Sequence, residues 1–301
     1  MFIRRRKRGN KMYKYLCSVE KEKKRRPKMD YMKILQKDIT PHMRGQLIDW
    51  LAELADNYNL LPNVIYLAVS YIDRYLSFHP IRKVRLQLLG VTSMYIASKY
   101  EDLSTHNVET FSVTTCNYYD KEEVLEMENK ILKTLDFDLS SPTIMTFLEK
   151  FEEIACEENN ASSWKFKFLT EYLGELSLLE YECLKFLPSL VAASITLLAK
   201  FIVWPEKRPC WTSALEEYSE YNSFELKECV LILHDLYMSK RGACFKAIRK
   251  KYSQQEEEPD NPEFDPELQN VANLPSPSKL PSYLFEVEVE FRQKNKKLKE
   301  E

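Results

Sequence analysis

Apolar residues recur at helical spacing from about residue 41 to about residue 250, and no stretch alternates with the two-residue period of a strand. Thr40-Pro41 opens the first run: Thr40 supplies an N-cap oxygen, and Pro41 sits where a helix has no use for an N–H. Met43, Leu47, Ile48, Leu51, Leu54, Ala55 and Tyr58 follow at helical spacing. A second helix is predicted from Pro62 to about Ser77, with Ile65, Ala68, Tyr71, Ile72 and Tyr75 inward. A third covers about 83–101, a short fourth 107–114, and a fifth 120–135, opened by Asp120 and Glu123 at capping-box spacing. Ser140-Ser-Pro142 breaks the chain. Beyond it, helices are predicted near 143–156, 162–178, 188–203, 211–219 and 224–238, then a short piece over 243–252. The third helix of each set is apolar on nearly all sides, which marks it as a central helix wrapped by the others.

The two sets are copies. Leu89-Gly-Val-Thr-Ser-Met-Tyr-Ile-Ala-Ser-Lys-Tyr100 returns loosely as Leu190-Val-Ala-Ala-Ser-Ile-Thr-Leu-Leu-Ala-Lys-Phe201, 101 residues later. The same offset carries Leu125, Ile131, Leu132 and Leu135 onto Leu226, Ile232, Leu233 and Leu236, and Met43, Leu47 and Trp50 onto Ile144, Leu148 and Phe151. A shared register over several apolar stretches implies one helical unit repeated, each copy the size of a small domain. The fold class is therefore all-α, with two tandem five-helix units. Residues 1–41 are a basic N-terminal segment and approach helix, 42–140 the first unit, 141–252 the second, and 253–301 an acidic, proline-rich tail.

Composition narrows the chemistry. The 301 residues are 44% hydrophobic, enough for two cores, and only 5 are glycine, which disfavours glycine-rich phosphate cradles. The net charge of −2 argues against binding nucleic acid with the whole surface. Basic residues collect at Arg4–Arg8 and Lys23–Arg26, and acidic ones at Glu256–Asp260. The 7 cysteines contain no CxxC pair and read as free thiols, and the 4 scattered histidines support no zinc site. The most apolar run, Leu187 to Trp204, contains Pro188, Ser189, Ser194 and Lys200 and reads as a core helix rather than a membrane span. No cofactor is expected. The tail holds 6 prolines and many acids, and is expected not to fold alone. Residues 1–26 are expected to be mobile apart from a helical patch near Met12–Val19, and 286–301 are compatible with a charged helix.

Differences between the copies point to function. Arg44 and Asp73 become Met145 and Gly174, so both charges vanish together. That fits a buried structural ion pair, since losing one partner alone would cost about 3–5 kcal/mol; a surface pair is the alternative. Lys99 returns as Lys200, but Glu128 becomes Cys229. Spacing alone leaves Lys99 and Glu128 either as solvated charges or as a functional pair.

Met43-Arg-Gly-Gln-Leu-Ile-Asp-Trp-Leu-Ala-Glu53 resembles the opening motif of the cyclin box. Leu86-Gln-Leu-Leu-Gly90, Ala97-Ser-Lys-Tyr-Glu101, Met127-Glu128 and Leu135-Asp-Phe-Asp-Leu139 are similar to the family's later motifs, in order, and Lys24–Met32 resembles the approach segment of plant A-type mitotic cyclins. The resemblance implies a non-catalytic regulatory subunit that binds and activates a cyclin-dependent kinase in the cell cycle. It implies that Lys99 and Glu128 reach the kinase beside an apolar pocket of Ile96, Tyr100, Leu132, Phe137 and Leu139, with Glu101 at its edge. It further implies a groove for Arg-x-Leu peptides of substrates or inhibitors, built from Met43, Leu47, Trp50, Glu53, Leu86 and Gln87. Gln46 departs from the family pattern there, placing an amide where an aliphatic residue is usual. The basic N-terminal runs read either as a nuclear import signal or as a solvated tail, and a nuclear protein with a cytoplasmic share is expected. No Arg-x-x-Leu destruction signal precedes the core; Arg44–Leu47 and Arg85–Leu88 fit that pattern but lie in predicted helices. Ser276-Pro-Ser-Lys279 resembles a cyclin-dependent kinase target. The rival readings are a cyclin-box scaffold, which need not retain Lys99, Glu128 and the pocket together, an enzyme, for which the sequence offers no nucleophile–base set or metal cluster, and an inactive relative, to which the unusual tail and Gln46 point.

Overall fold

The computed structural model describes residues 2–101, 107–116, 118–159, 164–253 and 270–285, excluding the side chains of 2–10 and 159. Among them every regular element is helical. Beside short 3-10 turns, the α-helices in chain order are α1 Phe2–Val19, α2 Tyr31–Ile34, α3 Pro41–Asn57, α4 Pro62–Leu76, α5 Leu86–Glu101, α6 Val108–Val113, α7 Lys121–Thr134, α8 Ile144–Asn159, α9 Trp164–Leu179, α10 Pro188–Val203, α11 Ser213–Ser219, α12 Ser223–Tyr237 and α13 Ala247–Lys251. The predicted starts follow from local chemistry. Thr40 accepts from the Met43 N–H at 3.2 Å, Asp120 from Glu123 at 2.8 Å, and Asn222 from Glu225 at 3.0 Å. The capping box falls at Asn222–Glu225, where the reciprocal bond is made. At α7 it is incomplete, because the Glu123 carboxylate turns to Arg85 instead.

The helices α5 and α10 are central, as their all-round apolarity requires: Leu88, Leu89, Val91 and Met94 of α5, and Ala192, Ile195, Leu197 and Leu198 of α10, are fully buried. There are two cores, but they share a wall. Leu47, Leu51 and Leu54 of α3 face the first core, while Ile48 and Ala52 of the same helix, with Ile65, Tyr66 and Val69 of α4, belong to the second. Asp49 completes the junction by accepting from the N–H groups of Lys246, Ala247 and Ile248 at 2.8, 3.0 and 3.1 Å, capping α13 from the other unit.

Three peripheral segments are more tightly held than their composition suggests. The helix α1 extends well before the patch at Met12–Val19, and Tyr13 is buried against Phe147, Phe151 and Tyr218, donating to Ser219 O at 2.9 Å. The side chains of Arg4–Arg8 lie outside the described residues. Lys23–Arg26 is only partly solvated: Lys23 and Lys24 are exposed, but Lys24 and Arg25 meet Asp138 at 2.8 and 3.1 Å, and Arg26 donates to Leu184 O and Phe186 O at 3.1 and 3.0 Å. In the tail, Val271, Leu284 and Phe285 are buried in the second core, so residues 270–285 form a strap across that unit. The acidic run Glu256–Asp260 and the candidate charged helix 286–301 lie outside the described residues.

Candidate functional site

Arg44 and Asp73 meet at the junction of the two units. Arg44 Nε donates to Asp73 Oδ1 at 2.7 Å and Nη2 to Oδ2 at 2.6 Å, a two-point contact with both side chains about 1% exposed. The remaining Nη1 donates to Leu178 O at 2.7 Å, and Tyr31 OH donates to Asp73 Oδ1 at 2.7 Å. Burial opposes the Arg44 charge, but attraction to Asp73 and their hydrogen bonds outweigh it and raise the guanidinium above its ordinary pKa. Four elements, α2, α3, α4 and α9, are tied to one buried pair. Such a pair fixes geometry more than it adds stability.

Lys99 closes the last turn of α5, and Glu128 stands on α7 beside it. The two side chains form a hydrogen-bonded ion pair, and Lys99 Nζ lies 4.1 Å from the Tyr95 ring centroid. Tyr95, one turn before Lys99, escaped the sequence reading, although the four-residue spacing that places it under the ammonium was visible. Lys99 remains 36% exposed, so the pair faces water at the edge of the core. Around it the expected pocket residues separate into floor and rim. Ile96 is buried, Leu132 and Leu139 are half-buried against the first core, and Tyr100 and Phe137 are 47% and 67% exposed. Asp136 and Phe137 both take positive φ, 54° and 57°, just past the end of α7. Left-handed backbone at two non-glycine residues costs on the order of 1 kcal/mol each, and here it accompanies a phenyl ring left in solvent. Glu101 is directed elsewhere and accepts from Asn63 Nδ2 at 3.0 Å.

A second surface runs along α3 and the start of α5. Leu47 and Leu86 are buried, Met43, Trp50 and Gln87 are half-buried, and Glu53 is exposed. A Cβ at Gly90 would stand 2.7 Å from Leu47 Cδ1, so glycine is what lets α3 lie this close to α5. Gln46 is exposed on α3, and its amide is solvated rather than sunk in the floor.

The second unit keeps the lysine and changes its partner. Lys200 is buried and pairs with Glu158 of α8 at 3.0 Å, and Thr212 donates to the same carboxylate at 2.6 Å. Cys229, where Glu128 would be, is enclosed, and burial pushes its thiol up to about 12.

Residues 11–140 match the N-terminal domain of the cyclins, and residues 142–265 match their C-terminal domain. The chain is 51% identical over 241 residues to the G2/mitotic-specific cyclin C13-1 of Daucus carota, covering 80% of this chain and 70% of that one. It is 45% identical over 273 residues to cyclin-A3-4 of Arabidopsis thaliana, covering 90% and 70%. The crystal structure of a viral cyclin from herpesvirus saimiri superposes with a TM-score of 0.59 at 23% identity, over 67% of this chain and 87% of that one, which speaks to the fold. The chain belongs to the cyclin family. Within it, the chain is of A type and most like plant members.

Proposed function

We propose that this chain regulates a cyclin-dependent kinase in the cell cycle, binding and activating it without catalysis of its own. The observation that carries the reading is the joint placement of Lys99, Glu128 and an apolar pocket with exposed aromatic edges on one face of the first unit. The ion pair is assembled in the free chain, so little side-chain ordering remains to be done on binding. Its part-exposed lysine and the 13% exposed carboxylate offer a donor and acceptors to partner backbone, while Tyr100, Phe137, Leu132 and Leu139 over Ile96 receive an apolar side chain. A face of this kind, extended to the roughly 1,600 Å² of an ordinary interface, activates by population shift. It favours the kinase conformer whose regulatory helix is turned inward with the Lys–Glu pair formed, and that conformer accumulates.

The groove along α3 and α5 is assigned to Arg-x-Leu peptides, with Leu47, Leu86 and Trp50 taking the leucine and Glu53 the arginine. The nucleus, with a cytoplasmic share, is the proposed location. The import signal is assigned chiefly to Arg4–Arg8, because Arg25 and Arg26 of the second run are engaged in internal contacts. Co-purification with a cyclin-dependent kinase followed by histone phosphorylation tests the main reading. A co-purifying kinase that stays inactive would leave a scaffold instead.

A further inference from the structure

The tail strap carries chemistry that kinase activation does not use. Its two ends are anchored by buried residues, Val271 at one and Leu284 and Phe285 at the other, and Tyr237 OH donates to Leu274 O at 2.7 Å. Between them Pro275, Pro277, Ser278 and Lys279 are exposed, while Ser276 among them is half-buried. Its Oγ lies 3.2 Å from Nε2 of His234, in the last turn of α12. Lys240 Nζ donates to Ser278 O at 2.8 Å, so an imidazole meets Ser276 and an ammonium holds the backbone two residues on. Burial, reinforced by Lys240, holds His234 below the ordinary histidine pKa, which keeps it neutral at pH 7. Asp235, the neighbouring anion, is engaged by Lys240 and Arg241 at 3.4 and 3.8 Å.

We propose that Ser276 is a phosphorylation site for the kinase this chain activates, and that the phosphate clamps the strap to the second unit through His234 and Lys240. The inference rests on the proposed kinase partnership. Proline after the acceptor removes one backbone N–H, and Lys279 adds a cation three residues on, the pattern of a proline-directed target. Ser276 Oγ attacks the γ-phosphorus of ATP; the Oγ–P bond forms as the bond to the ADP oxygen breaks, and the hydroxyl proton passes to the base of the kinase. The product carries nearly two negative charges and three acceptor oxygens where a neutral imidazole and an ammonium already stand. His234 then gains a proton and a charge-assisted hydrogen bond, and Lys240 gains an anionic acceptor beside Ser278 O and Asp235.

The full chain reconstituted with a cyclin-dependent kinase and Mg-ATP tests this by phosphopeptide mapping. Phosphate is expected on Ser276, and S276A is expected to abolish that phosphopeptide while histone phosphorylation stays at the wild-type level. Hydrogen exchange over 270–285 is expected to slow about tenfold on phosphorylation, and K240A is expected to reduce that slowing. A complex that phosphorylates histone and leaves Ser276 bare overturns this inference alone. A chain that activates no kinase overturns the reading beneath it too. Phosphate on Ser276 with equal or faster exchange overturns the clamp.

Discussion

Lys99 and Lys200 occupy the same turn at the ends of two equivalent helices, yet their surroundings differ in kind. Lys200 is 5% exposed, locked to Glu158 from a helix of its own unit, with Thr212 completing the carboxylate. Lys99 is 36% exposed, and its partner Glu128 lies on the helix where the second unit has Cys229. A cation suits a helix C-terminus in both, which explains why the lysine survives in each copy. The partner decides the use: inward pairing makes the lysine part of the core, and edgewise pairing leaves it available to another protein. The same contrast holds for Arg44 and Asp73, a charged junction in the first unit where the second has Met145 and Gly174. A Cβ at Gly174 would lie 2.4 Å from the Tyr66 hydroxyl, so in the second unit that position serves close packing against the first.

Breaking the junction should have the largest effect. Arg44→Met leaves Asp73 buried without its counter-charge, and urea unfolding is expected to show a loss of about 3–5 kcal/mol. Adding Asp73→Ala should return part of that loss, because no carboxylate is then orphaned; a double variant as damaged as the sum of the singles would show that the two act independently. Lys200→Met comes next, at about 2 kcal/mol of stability. Its effect on kinase activation should be no larger than that loss of folded protein explains.

A smaller effect distinguishes the units by pH. Glu152 stands where the first unit has Leu51, and burial, offset in part by its hydrogen bond from Thr170, raises its carboxyl to about 7. The folded pKa lies above the unfolded value of 4.5, so the folded state binds the extra proton between them. Its contribution is full below pH 4.5 and is lost as pH rises through about 7. Glu152→Gln should therefore stabilise the protein by about 1–2 kcal/mol at pH 8, with little change at pH 4.5, and flatten the slope between. Unfolding at several pH values measures this. Smallest is Gln46→Ile, which should tighten an Arg-x-Leu peptide about three- to fivefold by adding apolar contact at the groove; an unchanged dissociation constant in a titration speaks against the groove.

Much of this was legible in the chain, because the signals were local or repeated. Thr40, Asp120 and the apolar periodicities mark helices by their own chemistry, and the joint loss of Arg44 and Asp73 in the second copy already described a pair. What stayed hidden depends on surfaces remote in sequence. Tyr13 is buried only because Phe147, Phe151 and Tyr218 converge on it, and the strap folds only against α9 and α12. Glu20 is similar: its carboxylate accepts from the Ser189 N–H at 2.9 Å at the start of α10, 169 residues away. The basic run Lys23–Arg26 reads as a tail because composition does not reveal that Asp138 and two carbonyls wait for it. Glu158 was missed as the partner of Lys200 because the repeat pointed to α12, and the carboxylate comes from α8.

The central claim is that the edgewise pair in the first unit engages a kinase. The direct measurement is activation of a cyclin-dependent kinase by increasing amounts of wild-type chain and of the Lys99→Ala, Glu128→Ala double variant, with unfolding followed on the same samples. Truncating a charge pair at an interface costs about 2 kcal/mol or more, so half-maximal activation should require at least roughly thirtyfold more of the variant, with stability lowered by less than about 1 kcal/mol. Superimposed activation curves from two equally folded proteins would contradict the account.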